Sequence, residues 1–149
     1  MADRSALLAA TLVLLALLSG AVLVEAETNY ERVASRDQTT AEVASVELTD
    51  DGSVAVGVRV RNTMREPLRV QYVHVELDRA NATDAASVPY NGYRTVAPGT
   101  EIVSAGVPSR QLTGTVSEGD TFTVRGTVAV EVYNRYRFEI PIEPTEVTI

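Results

Sequence analysis

The sequence predicts an all-β protein: an immunoglobulin- or fibronectin-like antiparallel β-sandwich of about seven strands, preceded by one N-terminal hydrophobic helix. Three observations carry this expectation. Val54, Val56, Val58 and Val60 occupy every second position, and Phe122, Val124, Gly126, Val128, Val130 and Val132 do the same nearer the C-terminus. That is the period of a strand with one face buried. Turn signals recur between such stretches at Asp50-Asp51-Gly52, Asn91-Gly92, Pro98-Gly99 and Asn134-Arg135, and no convincing amphipathic helix separates them. Finally, Ala6–Val24 is an uncharged run interrupted only by Thr11, Ser19 and Gly20.

Taken in order, residues 1–5 form a cytoplasmic N-terminus and 6–24 a transmembrane helix or signal segment. Residues 25–39 are a polar tether, and 40–149 are the sandwich domain. The apolar run spans roughly 28 Å as a helix at about 1.5 Å per residue, close to the thickness of a hydrocarbon core. Arg4 precedes it and Glu25, Glu27 and Glu31 follow, so the positive-inside rule leaves the N-terminus in the cytoplasm and the domain outside. This predicts a single-pass protein of the cell membrane. Secretion after signal cleavage is the alternative, because Val24-Glu25-Ala26 offers small or branched residues to a signal peptidase.

Within the domain, Ala41–Leu48 reads as the first strand and Val54–Val60 as the second, with Asn62–Pro67 a loop. Leu68–Leu77 is the third strand, and its apolar set changes phase. Leu68, Val70 and Tyr72 share one parity, Val73, Val75 and Leu77 the other. A strand cannot aim both sets at one core without an irregularity, so a β-bulge is expected near Gln71 and Tyr72. Asn81–Ser87 reads as a loop. Pro89–Val96 reads as two short strands turning at Asn91-Gly92. Ile102–Val107 is another strand, and Ser109–Gly119 is a polar connection with a helical turn pinned by Leu112 and Val116. After the Phe122–Val132 strand, Tyr136, Phe138, Ile140 and Ile142 alternate again. Pro141 cannot donate to a ladder and marks that strand as an edge.

Composition limits function. The 149 residues include no Cys, which removes disulfides, thiolate metal sites and cysteine nucleophiles together. All 13 basic residues are Arg, set against 20 acidic residues for a net charge of −7. Such a surface repels phosphates, so no nucleic acid is expected as partner. High net charge also keeps a protein soluble where salt screens repulsion, which points to a halophilic setting. An Arg-favouring genome is the alternative account of the missing Lys, and the two are compatible.

A strand running into Asn62, a loop, and then Pro67-Leu68-Arg69-Val70 form the first part of a recurring punctuation. Pro98-Gly99-Thr100, Phe122-Thr123-Val124-Arg125-Gly126 and Phe138-Glu139-Ile140-Pro141-Ile142 complete it. Over about Thr40 to Ile149 this resembles the group-two late embryogenesis abundant proteins, also called the water-stress and hypersensitive-response domain, in their archaeal-type, membrane-anchored form. The family places Pro directly after the loop Asn; here Thr63 stands there. The resemblance implies a β-sandwich, many members with one N-terminal transmembrane helix, association with desiccation and stress, and no assigned catalytic residues.

Candidate chemistry is sparse. His74 is the lone imidazole, in mid-strand, with no nucleophile-elbow pattern beside it. The acidic turns Asp50-Asp51-Gly52 and Glu118-Gly119-Asp120 lack the acidic spacing of a known calcium loop. No catalytic, cofactor or metal site is therefore expected. A pair of buried carboxylates brought together by folding is the loophole. Asn81-Ala82-Thr83 is a glycosylation sequon. Arg59, Arg61, Arg125, Arg135 and Arg137 fall on outward parities and would form a basic stripe if their strands adjoin; otherwise they make cross-strand pairs with residues such as Glu131 and Glu139. Tyr90 and Tyr93 flank the Asn91-Gly92 turn. The expected function is non-enzymatic: a membrane-anchored extracytoplasmic domain that contacts or stabilises envelope molecules, with an envelope protein, lipid headgroup or glycan as partner. An exported binding module or accessory subunit of an envelope complex is the alternative.

Overall fold

A computed structural model describes residues 35–132 and 135–149. The expected helix at 6–24 and most of the tether lie outside these residues, as does Asn134. Among the described residues no helix is long and apolar enough to cross a membrane. The chain divides into two units, Met1–Asp37 and Gln38–Ile149. In the first, Arg36 bonds the carboxylate of its neighbour Asp37.

The second unit is all-β. Its strands are β1 (Thr40–Leu48), β2 (Val54–Asn62), β3 (Leu68–Arg79), β4 (Ala82–Val96), β5 (Gly99–Val107), β6 (Thr121–Val132) and β7 (Tyr136–Thr148), with a short 3₁₀ turn at Ser109–Gln111. They form one continuous sheet in the order β4-β3-β6-β7-β1-β2-β5. Two separate antiparallel sheets were expected. Instead a single parallel pair, Ala41 opposite Ile142, joins β1 to β7 and makes the sheet mixed. All other pairings are antiparallel. The sheet curls until its ends, β4 and β5, meet almost as a barrel. No ladder closes that seam. Side chains do: Tyr90 Oη donates to the Ser104 carbonyl, and Arg94 donates to the Ile102 carbonyl at 3.2 Å and pairs with Glu101 at 2.7 Å.

The core follows the alternation. Val54, Val56, Val58 and Val60 of β2, Phe122, Val124, Val128, Val130 and Val132 of β6, and Ile140 and Ile142 of β7 are buried. In β3, Leu68, Val70, Val73, Val75 and Leu77 are all buried despite their change of parity. A register shift between Val70 and Tyr72 occurs against both neighbouring strands; against β6 it leaves Gln71 as the extra residue and allows this. The expected bulge is present.

Three further expectations are corrected. Within the segment expected as a loop, Asn81–Ser87, only Asn81 lies in a turn and Ala82–Ser87 is strand: β3 and β4 make a hairpin from Arg79 opposite Ala82 up to Val73 opposite Val88. Its buried positions hold Asp84 and Ala86, with Val88 partly buried, so bulk is missing where the alternation would be read. Asn91-Gly92 does not turn the chain between two strands. It shapes an excursion within β4, where four residues, 90–93, stand opposite the lone Gln71. Asn91 and Gly92 both have positive φ, 51° and 77°, which the two residue types tolerate. Last, Pro141 lies inside the sheet order, not at an edge. The β1 side of β7 has Ile142 as its one register partner, so most of that side carries no ladder. β7 also runs past Ile142 to Thr148, through a bulge in which Glu143 and Pro144 face the single residue Arg125.

Two positions, the buried Asn62 and the close-packed Gly126, secure the framework. Asn62 donates to the carbonyls of Glu66 and Val96 and accepts from the Met64 amide, which shapes the β2–β3 loop. Gly126 lies so close to β3 that a Cβ would stand 2.0 Å from the His74 carbonyl oxygen.

Candidate functional site

The outward face of β4-β3-β6-β7 carries most of the polar chemistry of the described residues. The β3 bulge puts Tyr72, His74, Glu76 and Asp78 on one outward row, because Val73, Val75 and Leu77 take the core. His74 Nδ1 lies 2.8 Å from Ser87 Oγ, and Nε2 lies 3.2 Å from Glu76 Oε1. The other Glu76 oxygen accepts from Arg125 Nε at 2.7 Å, and the same Nε is 3.1 Å from Asp78. Asp78 in turn accepts from Thr83 at 2.6 Å. Hydrogen bonding to Arg125, then to His74, holds the Glu76 carboxyl below its usual range, and the Glu76 bond raises Arg125.

The hydroxyl–imidazole–carboxylate order resembles a nucleophilic relay. The surroundings differ. Ser87 lies flat on the edge strand β4, without the sharp strand-to-helix turn that lifts a nucleophile towards substrate. Glu76 also divides its charge between His74 and Arg125. Chemically the row is a chain of cross-strand pairs.

Above it, the bulges of β3 and β4 open a shallow groove of about 440 Å³. Gln71, Tyr72, Asn91, Arg137, Phe138 and Glu139 line its sides. Its floor includes Ala129, which stands in register between Tyr72 on β3 and Glu139 on β7. Tyr72 Oη donates to Glu139 Oε1 at 2.5 Å. That bond raises the Tyr72 phenol, since the carboxylate is best served by a phenol that keeps its proton. Arg137 gives Nε to the buried Glu131 at 2.7 Å while its side chain stays three-quarters exposed.

The five arginines of the expected stripe do not lie in one row. Arg59 and Arg61 are on β2, three positions from β6 in the sheet order, where Arg125 lies. Arg135 and Arg137 flank the start of β7. Arg59 pairs with Glu42 at 2.9 Å, Arg125 with Glu76 and Asp78, and Arg137 with Glu131.

Asn81 is exposed beside Ala80 in the tight β3–β4 turn. Asp51 accepts from Thr49 and Ser53 within its turn, which lowers its carboxyl. Asp120 accepts from the Ser117 amide. Among the described residues no three or more His, Asp or Glu side chains are grouped to hold a metal. The buried carboxylates Asp84 and Glu131 oppose Leu77 and Arg69 at the two ends of β3. At about 3.3 Å per residue they are more than about 20 Å apart, too far for the acid–base pair of a glycosidase.

Asp84 is instead a structural pin. Burial pushes its carboxyl up, but bonds from Thr113 and Arg79 outweigh this and leave it below the usual range. Arg79 also donates to the Thr113 carbonyl and lies over the Phe122 ring, 5.4 Å from its centroid.

No protein-family model matches the chain, and no curated protein matches it. Solved structures do. A solution structure of a protein provisionally assigned as late embryogenesis abundant (LEA) aligns over 99% of this chain and 90% of its own, with 17% identity and a TM-score of 0.54. The fold is LEA-like. Two further structures align at lower TM-scores. A structural-genomics target, SoR45, has 14% identity and a TM-score of 0.49, over 74% of this chain and 83% of its own. A protein from Bordetella pertussis provisionally assigned as ApaA has 22% identity and a TM-score of 0.48, over 74% and 89%.

The sequence pointed to this face only indirectly. Its parity change located the bulge that creates the groove, and bulges re-aim side chains. The partners of Gln71, Tyr72 and Arg125 depend on register, which alternation does not encode.

Proposed function

We propose that this chain is a membrane-tethered, extracytoplasmic, non-enzymatic domain of the stress-protective type, acting by contact with envelope molecules. Its nearly closed sheet is then a variant of the immunoglobulin- or fibronectin-like sandwich. The observation that carries the reading is the LEA-like fold, matched along almost the whole chain. Two features support it. The apolar run 6–24 and its charge flanks fit a signal anchor. On the outward face, the ionisable groups of the His74 row are spent on one another across strands, which suits a stable exposed surface.

Two measurements test it. Protease added to intact cells should remove the domain while cytoplasmic proteins survive, and the intact mass should retain residues 6–24. A domain cleaved only after lysis overturns the topology. Purified full chain, added to a labile enzyme before drying and rehydration, should preserve more activity than an equal mass of albumin. No gain over albumin, together with unchanged survival of a deletion strain after drying, overturns the protective role.

A further inference from the structure

We propose that the groove between the β3 and β4 bulges is a binding site for an uncharged sugar ring, such as a unit of a neutral envelope glycan. The argument begins with how the groove arises. One extra residue in β3, Gln71, faces four in β4, residues 90–93. A Cβ at Gly92 would make ordinary contact, at 3.4 Å, with the Gln71 amide nitrogen, so Gln71 and this excursion pack side by side. Asn91 is the one described non-glycine residue with positive φ. Such conformations gather at ligand sites. On the opposite wall β7 supplies Arg137 and Glu139, with Phe138 packed against the core behind them, and beneath them β6 supplies Ala129, the smallest side chain of its outward row. A larger residue at 129 would fill the groove.

The lining chemistry selects a ligand class. Small-molecule sites run to about 300–1,000 Å³, and a volume of about 440 Å³ admits a mono- or disaccharide. The Tyr72 ring offers apolar surface to the C–H face of a pyranose. Two amides, Gln71 and Asn91, each carry donors and acceptors for neighbouring hydroxyls. Glu139 has one oxygen oriented by Tyr72, and Arg137 is fixed through Nε by Glu131, so both enter already positioned.

Charge argues against an anionic occupant. Arg137 is balanced by Glu131 and faces Glu139 in the lining, on a protein of net charge −7. A phosphate or a uronic acid would meet repulsion from Glu139.

The inference deepens the contact reading above by naming the ligand, and it is tested separately from location and protection. Isotope-labelled full chain, in a detergent without sugar headgroups, is titrated with cellobiose, maltose and mannobiose. Glucuronate and inorganic phosphate are run alongside. Saturable amide shifts at Gln71, Tyr72, Asn91, Gly92, Phe138 and Glu139, with millimolar affinity for at least one disaccharide, are expected. Asn91→Gly keeps the backbone conformation and removes the amide, and it should weaken binding at least several-fold. Ala129→Gln should abolish it, with thermal melts confirming that each variant is folded. No shift with any disaccharide, shifts away from the groove, a response to the anions alone, or undiminished binding by Asn91→Gly overturns the proposal. A negative titration leaves the topology and drying experiments unaffected.

Discussion

Substituting Gly126 by alanine tests the close approach of β3 and β6. The new Cβ would stand 2.0 Å from the His74 carbonyl oxygen, 2.9 Å from its carbon and 3.0 Å from Val75 Cα. Ordinary contact begins near 3.4 Å, so the nearest atom must retreat by 1.4 Å (3.4 − 2.0). The obstacle is backbone, paired on its other side with β4, so it cannot swing away as a side chain would. Overpacking costs about 1–3 kcal/mol, and the sparsely populated φ of +156° adds about 1–3 kcal/mol for a residue with a Cβ. The expected loss is about 2–6 kcal/mol, a large part of the roughly 5–15 kcal/mol of a typical domain. Urea unfolding followed by far-ultraviolet circular dichroism measures it. Gly114→Ala is the control. Gly114 also has positive φ, 80°, but a Cβ there meets nothing within 4 Å, so only the conformational cost of about 1–2 kcal/mol remains. If both variants lose the same stability, or Gly126→Ala loses under about 1 kcal/mol, backbone crowding is not what requires glycine there.

Asn62→Asp should cost about 2–4 kcal/mol, since a carboxylate cannot donate to the carbonyls of Glu66 and Val96; its urea midpoint should fall below that of Thr63→Ala. The Asp84 carboxyl is depressed in the folded state, so its stabilisation is complete above the ordinary carboxylate range, about pH 4, and is lost as pH falls through the depressed value. Asp84→Asn should therefore lower stability at pH 7 by about 2 kcal/mol and flatten the loss between pH 4 and the acid limit, and a parallel acid profile for both proteins contradicts the assignment. Raising NaCl to molar levels should raise Tm, because screening the surplus of 20 acidic over 13 basic residues outweighs weakening exposed pairs worth about 0–1 kcal/mol each. A flat or falling Tm refutes the salt argument. If the domain is exported in a host with N-glycosylation, the native mass should exceed that of Asn81→Gln by one glycan, and equal masses would show the exposed sequon unused.

Much of the framework was legible because branched residues alternate so regularly. β2, β6 and the bulge at Gln71 follow from parity alone, as the positions of Val54–Val60 and Val70–Val73 show. β4 was hidden. Ala82, Ala85, Ala86 and Ser87 have little bulk or branching, and its buried Asp84 is polar, so the strand is specified by its hairpin partner and not by its own pattern. Asn91-Gly92 carried the right conformational message, positive φ, without saying whether the chain would reverse or bulge. The single parallel pair at Ala41 and Ile142 is non-local, and no short-range signal encodes it. The groove inherits both difficulties: its walls come from β3, β4 and β7, and only folding sets their register.

The seam between β4 and β5 has a consequence for how the domain opens. The antiparallel neighbours in the sheet are joined by ladders that must be broken bond after bond, whereas Tyr90 and Arg94 act as a latch of separate hooks on the carbonyls of Ser104 and Ile102. Each hook can release while the strands stay intact. The hooks also cover acceptors that a foreign strand would need in order to add to the β5 edge. Drying removes the water that competes for those carbonyls, so the same latch grips harder as hydration falls. The cylinder is thus most firmly shut under the conditions in which exposed strand edges are most dangerous.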